Sequence, residues 1–426
     1  MGYEKPARQP KAAGIISEYN PFHNGHAYQI AEIRRRSGAD YVIAVMSGDF
    51  MQRGAPALLD KYVRTRMALL GGIDLVLELP CAAATGSAAL FAQESVRILD
   101  RLGAVQELWF GSEAGDTELF SALSGLLSAE PPAYRSALRR FLREGNSYPL
   151  ARRKALEDCL ADALFPEKSE ELRHFLEAPN NILGLEYCIA LKKLKSRIRP
   201  CTLKRRGSGY HDLTLSKQFS SASALREIIR SEGAARLENQ FPENVHRALT
   251  AALTSEGWLE EDDFSLLLKY LLLGAEPETL DSYFRGGLAR RILAKRTDFL
   301  SFSQFTDLLK TKDRTRSGIQ RGLLRLLLEI PARSEVSAGN TFSGELPCRT
   351  ITDAGFARVL GFRRQAAPLL TLIKHSGCLA LEARPAALPQ KEYQTDLRAS
   401  NLYEAVRSHK MAQPFREERS RQPVIL

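Results

Sequence analysis

The sequence has no C-x-x-C pair. Its six cysteines (81, 159, 188, 201, 348 and 378) are scattered, which excludes a zinc-ligand spacing and argues against a disulfide framework in a chain of 426 residues. No apolar run reaches the length of a membrane span. The opening MGYEKPARQPKAAG carries charge but lacks the apolar stretch of a signal peptide. N-myristoylation after Met1 and Gly2 is excluded because Pro6 stands where Ser or Thr is required. No internal repeat is visible. These absences point to a cytoplasmic protein with reduced thiols, no membrane association and no implied protein partner.

What the chain has in excess is positive charge. Sixty Lys and Arg against fifty Asp and Glu give +10, which fits either a polyanionic partner or an ordinary basic enzyme. The length allows two or three domains. Residues 1–12 read as a flexible leader. Short apolar runs at 13–17, 41–46, 73–79, 107–112 and 200–205 read as strands, and the helical patterns between them include 58–70, 86–102, 117–164 and 180–195. Strands without polar alternation, separated by helices, predict an α/β fold with a doubly wound parallel sheet covered on both faces and ligands at the strands' carboxyl ends. We assign 13–235 to this catalytic domain. A helical basic domain follows over 236–335, with long Leu-rich helices at 243–330. A Gly/Ser linker near 336–344 then leads to a small C-terminal α/β or helical region, 345–426.

The segment GIISEYNPFHNGHAYQI (14–30) carries the chemistry. It reads as a strand, a loop and a helix start bearing His23 and His26, three apart and facing the same way. A helix N-terminus offers free backbone N–H groups and the positive dipole end, so it cradles phosphate. Imidazoles there can donate to charge growing on a transferring phosphoryl group. Gly25 removes a side chain where a nucleotide would approach the backbone. A metal pair or two surface histidines are alternatives; the metal reading lacks a third ligand on the same helix face, so no protein metal site is assigned.

HNGH after a first strand resembles the HIGH signature of the nucleotidyltransferase superfamily. The longer SEYNPFHNGH, with VMSGDFMQRGAPALLDKYVRTRMAL (45–69) and PNNILGLEY (179–187), resembles the bacterial tRNA(Met) cytidine acetate ligase family, most strongly over 14–230 and weakly after 330. That resemblance implies a HIGH-type Rossmann-like domain. It also implies that acetate and ATP form acetyladenylate and that acetyl then passes to N4 of the wobble cytidine of elongator tRNA(Met), with Mg²⁺ on the phosphates. The stretch Ile16, Ser17, Glu18, Tyr19, Asn20, Pro21, Phe22, His23, Asn24, Gly25, His26, Ala27, Tyr28 and Gln29 would wrap ATP, with His23 and His26 on the phosphates. Gly111, Asn180 (or, less readily, Asn181), Arg205 and Arg206 would be further nucleotide contacts. A second superfamily signature, a Ser-rich turn ending in Arg, is met by SSASALR (220–226), in which Arg226 would reach the β- and γ-phosphates; an ordinary Ser-capped helix with a surface Arg is the alternative. Asp49, Gln52 and Arg53 either shape the acetate pocket or stitch a loop.

Eight basic and no acidic residues lie between Lys192 and Arg206, and eleven basic residues lie between Arg285 and Arg325. Lys192, Lys193, Lys195, Lys310, Lys312, Arg314 and Arg316 are the candidate tRNA contacts, with Tyr210 and His211 as candidates for stacking on the unpaired base. A solvated charged face explains either cluster alone. Two other functions stay open: an adenylyltransferase acting on a phosphorylated small molecule, and a non-catalytic RNA-binding protein.

Overall fold

The apolar runs form the centre of the molecule. The computed structural model describes residues 10–146, 148–161, 169–205, 220–284, 287–312, 314–332 and 349–426. Strands β1 (Ala12–Ser17), β2 (Tyr41–Ser47), β3 (Leu75–Leu79), β4 (Val105–Ser112) and β5 (Arg199–Lys204) are mutually parallel in the order β5-β4-β1-β2-β3. Ile43 and Val45 enter one core with Leu75 and Leu77, while Val42, Ala44 and Met46 enter the other with Val76. Both faces are therefore dry, which is why these strands read as unbroken apolar runs.

Helix α1 (Asn24–Ser37) follows β1 and stops at Gly38, whose φ of 63° no branched side chain tolerates. Helix α2 (Lys61–Leu70) follows β2 and begins three residues later than the apolar pattern suggests. Asp60 is its N-cap, accepting from the Val63 amide at 2.7 Å, and Asn20 takes the Leu58 amide at 2.9 Å. The β3 strand likewise starts at Leu75 because Asp74 is used as a staple, accepting from the Val42 amide (2.8 Å) and Arg34 (2.6 Å).

The helices expected to be long over 243–330 are short ones: Glu243–Ser255, Ser265–Gly274, Pro277–Tyr283, Leu288–Lys295, Phe302–Leu309 and Arg316–Leu327. Pro277, Gly287, Ser301 and Thr315 set the breaks by starting or capping helices. Glu243–Ser255 packs in the core of Val42, Ala44 and Met46, whereas the other five share a core that also takes in Phe50, Met51 and Ala57 from the loop after β2, and Tyr403 from the Gln390–Lys410 helix. The C-terminal segment returns to the sheet. Strand β6 (Phe356–Phe362) pairs antiparallel with β3, and β7 (Ala380–Glu382) and β8 (Val424–Ile425) both pair parallel with β6. A buried ion network fixes this return: Lys61 Nζ donates to Glu78 (2.7 Å) and Ser400 (2.8 Å) and pairs with Glu418 at 2.9 Å. The proposed 336–344 linker lies outside the described residues.

Candidate active site

The loop between β1 and α1 is held from below. Arg64, fully buried on α2, donates to the carbonyls of Leu59 (3.0 Å), Glu18 (2.7 Å), Ser47 (3.1 Å) and Gly48, clamping the carboxyl ends of β1 and β2 together. Tyr19 adopts φ 45°, and the Asn20–Pro21 peptide is cis. Phe22 is fully buried against Gly71, where a Cβ would lie 2.1 Å from the ring. These contacts aim His23 at the first turn of α1.

His23 is the N-cap of α1 and the two histidines form a capping box. The Gly25 amide donates to His23 Nδ1 at 3.0 Å, and the His23 amide donates to His26 Nδ1 at 3.2 Å. With each Nδ1 accepting, the ring proton of each neutral imidazole sits on Nε2. Burial, then the Arg205 and Arg226 guanidinium groups, push the His23 pKa down to about 3. Burial, then His23 and Arg205, hold His26 well below its ordinary value. The pair therefore stays neutral and offers two Nε2–H donors, with ring centroids 3.9 Å apart. Gly25 serves the cap directly: a Cβ there would lie 2.8 Å from His23 Cε1.

These histidines line a cleft with Gly25, Tyr28, Gln29, Gly111, Leu203, Lys204, Arg205, Ser220 and Ser221. Gly111 lies at the carboxyl end of β4, and a Cβ there would touch Arg205 Cγ at 3.4 Å. Ser221 caps the Ala222–Glu232 helix, accepting from the Ala224 amide at 3.1 Å. One turn in, Arg226 donates to the Asn20 carbonyl at 2.8 Å and to Ser223 Oγ at 3.1 Å, joining the two signature segments. The cleft thus gathers two neutral N–H donors, two helix N-termini and cationic side chains, a setting suited to a nucleotide's phosphates.

Seven of the sequence-selected nucleotide residues meet here: His23, Gly25, His26, Tyr28, Gln29, Gly111 and Arg205. Ile16, Tyr19, Asn20, Pro21 and Phe22 are buried, and Asn24 donates to the Asn239 carbonyl at 2.8 Å. Ser17, Glu18 and Ala27 are half-buried beside the cleft without lining it. Asn180 Nδ2 donates to Glu113 at 2.6 Å, and Asn181 Oδ1 accepts from the Glu113 and Ala114 amides at 2.9 and 3.1 Å, so the PNN segment fastens the loop after β4. Asp49 accepts from the Lys61 amide at 2.8 Å and the Gln52 amide donates to Glu18 at 2.8 Å, so this loop is stitched to β1 and α2. Arg206, Tyr210 and His211 lie outside the described residues. Leu203 and Lys204 lining the cleft were missed; their position, at the end of a strand next to β4, was the available signal.

Lys192, Lys193 and Lys195 are exposed at the end of the Pro179–Lys193 helix. Lys310 and Lys312 are exposed, Arg314 forms a bridge with Thr311, and Arg316 pairs with Asp307 at 2.9 Å. Among the described residues no three His, Cys, Asp or Glu side chains gather as a metal site, and no helix is long and apolar enough to cross a membrane.

A family model described as HIGH Nucleotidyl Transferase matches residues 10–418. The tRNA(Met) cytidine acetate ligase of Caldanaerobacter subterraneus is 37% identical over 401 residues, covering 92% of this chain and 94% of its own. The ligase of Acetivibrio thermocellus is 34% identical, covering 87% of each chain. Thermotoga maritima TmcAL, crystallised with alpha-thio ATP, superposes with a TM-score of 0.86 at 29% identity, over 98% of this chain and 99% of that one.

Proposed function

The chain belongs to the HIGH nucleotidyl transferase family and, within it, to the tRNA(Met) cytidine acetate ligases, and from that membership we propose that it activates acetate with ATP and acetylates N4 of the wobble cytidine of elongator tRNA(Met). It is an ATP-dependent enzyme. An acetate oxygen attacks the α-phosphorus, the Pα–O bond to the β-phosphate breaks, and pyrophosphate leaves with the electron pair. The cytidine N4 lone pair then attacks the acetyl carbonyl carbon. AMP departs and N4 loses a proton to solvent.

The observation that carries this reading is the neutral histidine pair. An imidazole whose Nδ1 is committed to a backbone amide presents one oriented Nε2–H, and two such donors side by side meet negative charge as it builds on the α-phosphoryl oxygens. Arg205 and Arg226, whose charges act on His23, supply the cationic counterpart, and Arg226 would reach the β- and γ-phosphates. Positioning and electrostatics supply the rate, without a covalent protein intermediate.

A Mg²⁺ would arrive on the nucleotide, since this ion commonly keeps its waters and binds through phosphates. It would supply charge neutralisation at the leaving pyrophosphate, beside Arg205 and Arg226. Lys192, Lys193, Lys195, Lys310, Lys312, Arg314 and Arg316 would meet the tRNA backbone, with the 236–335 segment as the RNA-binding region. A tRNA substrate places the enzyme in the cytoplasm.

The test is ATP–pyrophosphate exchange without tRNA. Exchange that requires acetate, and ignores phosphorylated metabolites, supports the reading. Exchange that requires a phosphorylated metabolite and not acetate replaces it with an adenylyltransferase.

A further inference from the structure

The loop after β2 is a tight turn. Phe50 bridges Pro56, the Met51 amide donates to the Ala55 carbonyl at 2.8 Å, and the Gly54 amide donates to Met51 at 2.9 Å. Its tip leans on the helical region. Gly54 has φ 85°, and a Cβ there would fall 2.4 Å from the Arg321 amide nitrogen and 2.6 Å from its Cα. The backbone of the Arg316–Leu327 helix is thus in contact with a loop whose Gln52 amide is bonded to Glu18, at the end of β1.

Three arginines on this helix behave differently. Arg316 is paired with Asp307, and Arg325 donates to the carbonyls of Ala82 (3.1 Å) and Thr85 (3.3 Å). Arg321, half-buried between them, has no ion-pair or side-chain hydrogen-bond partner among the described residues. Desolvation lowers its pKa, and among the described residues no carboxylate offsets that cost. A half-buried cation without a counter-charge among the described residues gains from an arriving anion.

The place says which anion. In the sheet order β5-β4-β1-β2, the nucleotide cleft lies between the start of α1, with His23 and His26, and the ends of β4 and β5, with Gly111 and Arg205. The Gly54–Arg321 contact lies across β1, on the β2 side. With the nucleotide on one side of β1, the RNA base that takes the acetyl group would approach from the other. The exposed Lys310 and Lys312 just precede the same helix, so cationic side chains continue outward from Arg321.

We propose that Arg321 is a positioning residue that seats a backbone phosphate of the RNA strand entering the catalytic crevice beside the 49–57 loop. This inference rests on the ligase reading for its substrate. The seat acts on RNA alone and plays no part in acetyladenylate formation, whose nucleotide cleft is lined by His23, His26, Gly111 and Arg205.

The full-length protein and its Arg321→Gln and Arg321→Lys variants would be compared in two assays. One is anisotropy of labelled elongator tRNA(Met) transcript between 50 and 200 mM salt, and the other is acetate-dependent ATP–pyrophosphate exchange, each with a thermal melt. Arg321→Gln is expected to weaken tRNA binding about tenfold and to lower the slope of log affinity against log salt by about one, with exchange within about twofold. Arg321→Lys, which keeps the charge, is expected to retain the slope. An unchanged affinity and slope in Arg321→Gln overturns the proposal. So does a loss shared by exchange and melting temperature in both variants, which makes Arg321 a structural joint. A change in inhibition by inorganic pyrophosphate with tRNA binding intact also overturns it, in favour of a product-anion site. Wild-type protein without acetate-dependent exchange defeats the ligase reading separately, because the salt slope still decides the seat.

Discussion

Replacing His23 with asparagine separates two jobs that one imidazole performs. As N-cap, His23 accepts the Gly25 amide through Nδ1; in the proposed role of phosphate ligand, it would present Nε2–H to the cleft. Asparagine is among the best N-caps, and its Oδ1 can take the place of Nδ1, but its amide cannot reach as far as Nε2. His23→Asn should therefore melt within about 2 °C of wild type, because the cap bond, worth about 1 kcal/mol, is kept. Losing one preorganised donor costs about 3–4 kcal/mol in the transition state, so acetate-dependent exchange should fall about 10²–10³-fold. His23→Ala should lose both, with a lower melting temperature and a rate at least as low. Since burial and two arginines keep the ring neutral, with a pKa near 3, the wild-type rate should show no titration of this group between pH 5 and 8. Exchange by His23→Asn within threefold of wild type would refute the donor role and leave His23 a cap.

Other expectations follow from the same contacts. Gly71→Ala drives a methyl group into Phe22, at 2.1 Å from its ring, and should cost about 1–3 kcal/mol in a denaturant melt. Arg226→Lys should lower exchange at least tenfold, because one ammonium cannot reproduce the fork held on Asn20 and Ser223 while reaching phosphate; activity near wild type would make Arg226 a surface residue. Burial, then the Glu78 charge, raise the Asp396 pKa from 3.8 to about 7, and its Oδ1 accepts from the Cys81 amide at 2.5 Å. Because the folded-state value is raised, that carboxyl's contribution to stability is fully present below pH 4 and is lost as pH rises toward 7. Asp396→Asn, which can still accept from Cys81, should be the more stable protein at pH 8 by at most about 4 kcal/mol, and the gain should vanish at pH 4, as read by chemical denaturation.

The parallel half of the sheet was legible because strands covered on both faces have no polar alternation: Val42 to Met46 serve two cores at once. The histidine pair was legible because its spacing, three residues at a helix start, is itself the geometry. Strand β6 was not. Its Arg358 breaks the apolar pattern of FARVLGF, yet it is fully buried, donating to the Val359 and Ala383 carbonyls and to Tyr62 at 3.2 Å. Lys61 and Glu78 mislead in the same way, because nothing local announces that Glu418 completes the network from the far end of the chain. The role of the PNN segment was hidden because its partner, Glu113, lies on another loop. Polar residues whose partners are distant in sequence look like surface until the fold closes.

The central claim is that one protein both activates acetate and delivers it to a defined base. The direct measurement is incubation with ATP, Mg²⁺, labelled acetate and unmodified elongator tRNA(Met) transcript, followed by digestion and identification of N4-acetylcytidine. Label is expected in that nucleoside, dependent on ATP, on His23 and His26, and on a cytidine at the wobble position. Folded protein that leaves the RNA unlabelled, or labels a transcript lacking the wobble cytidine equally well, would contradict it.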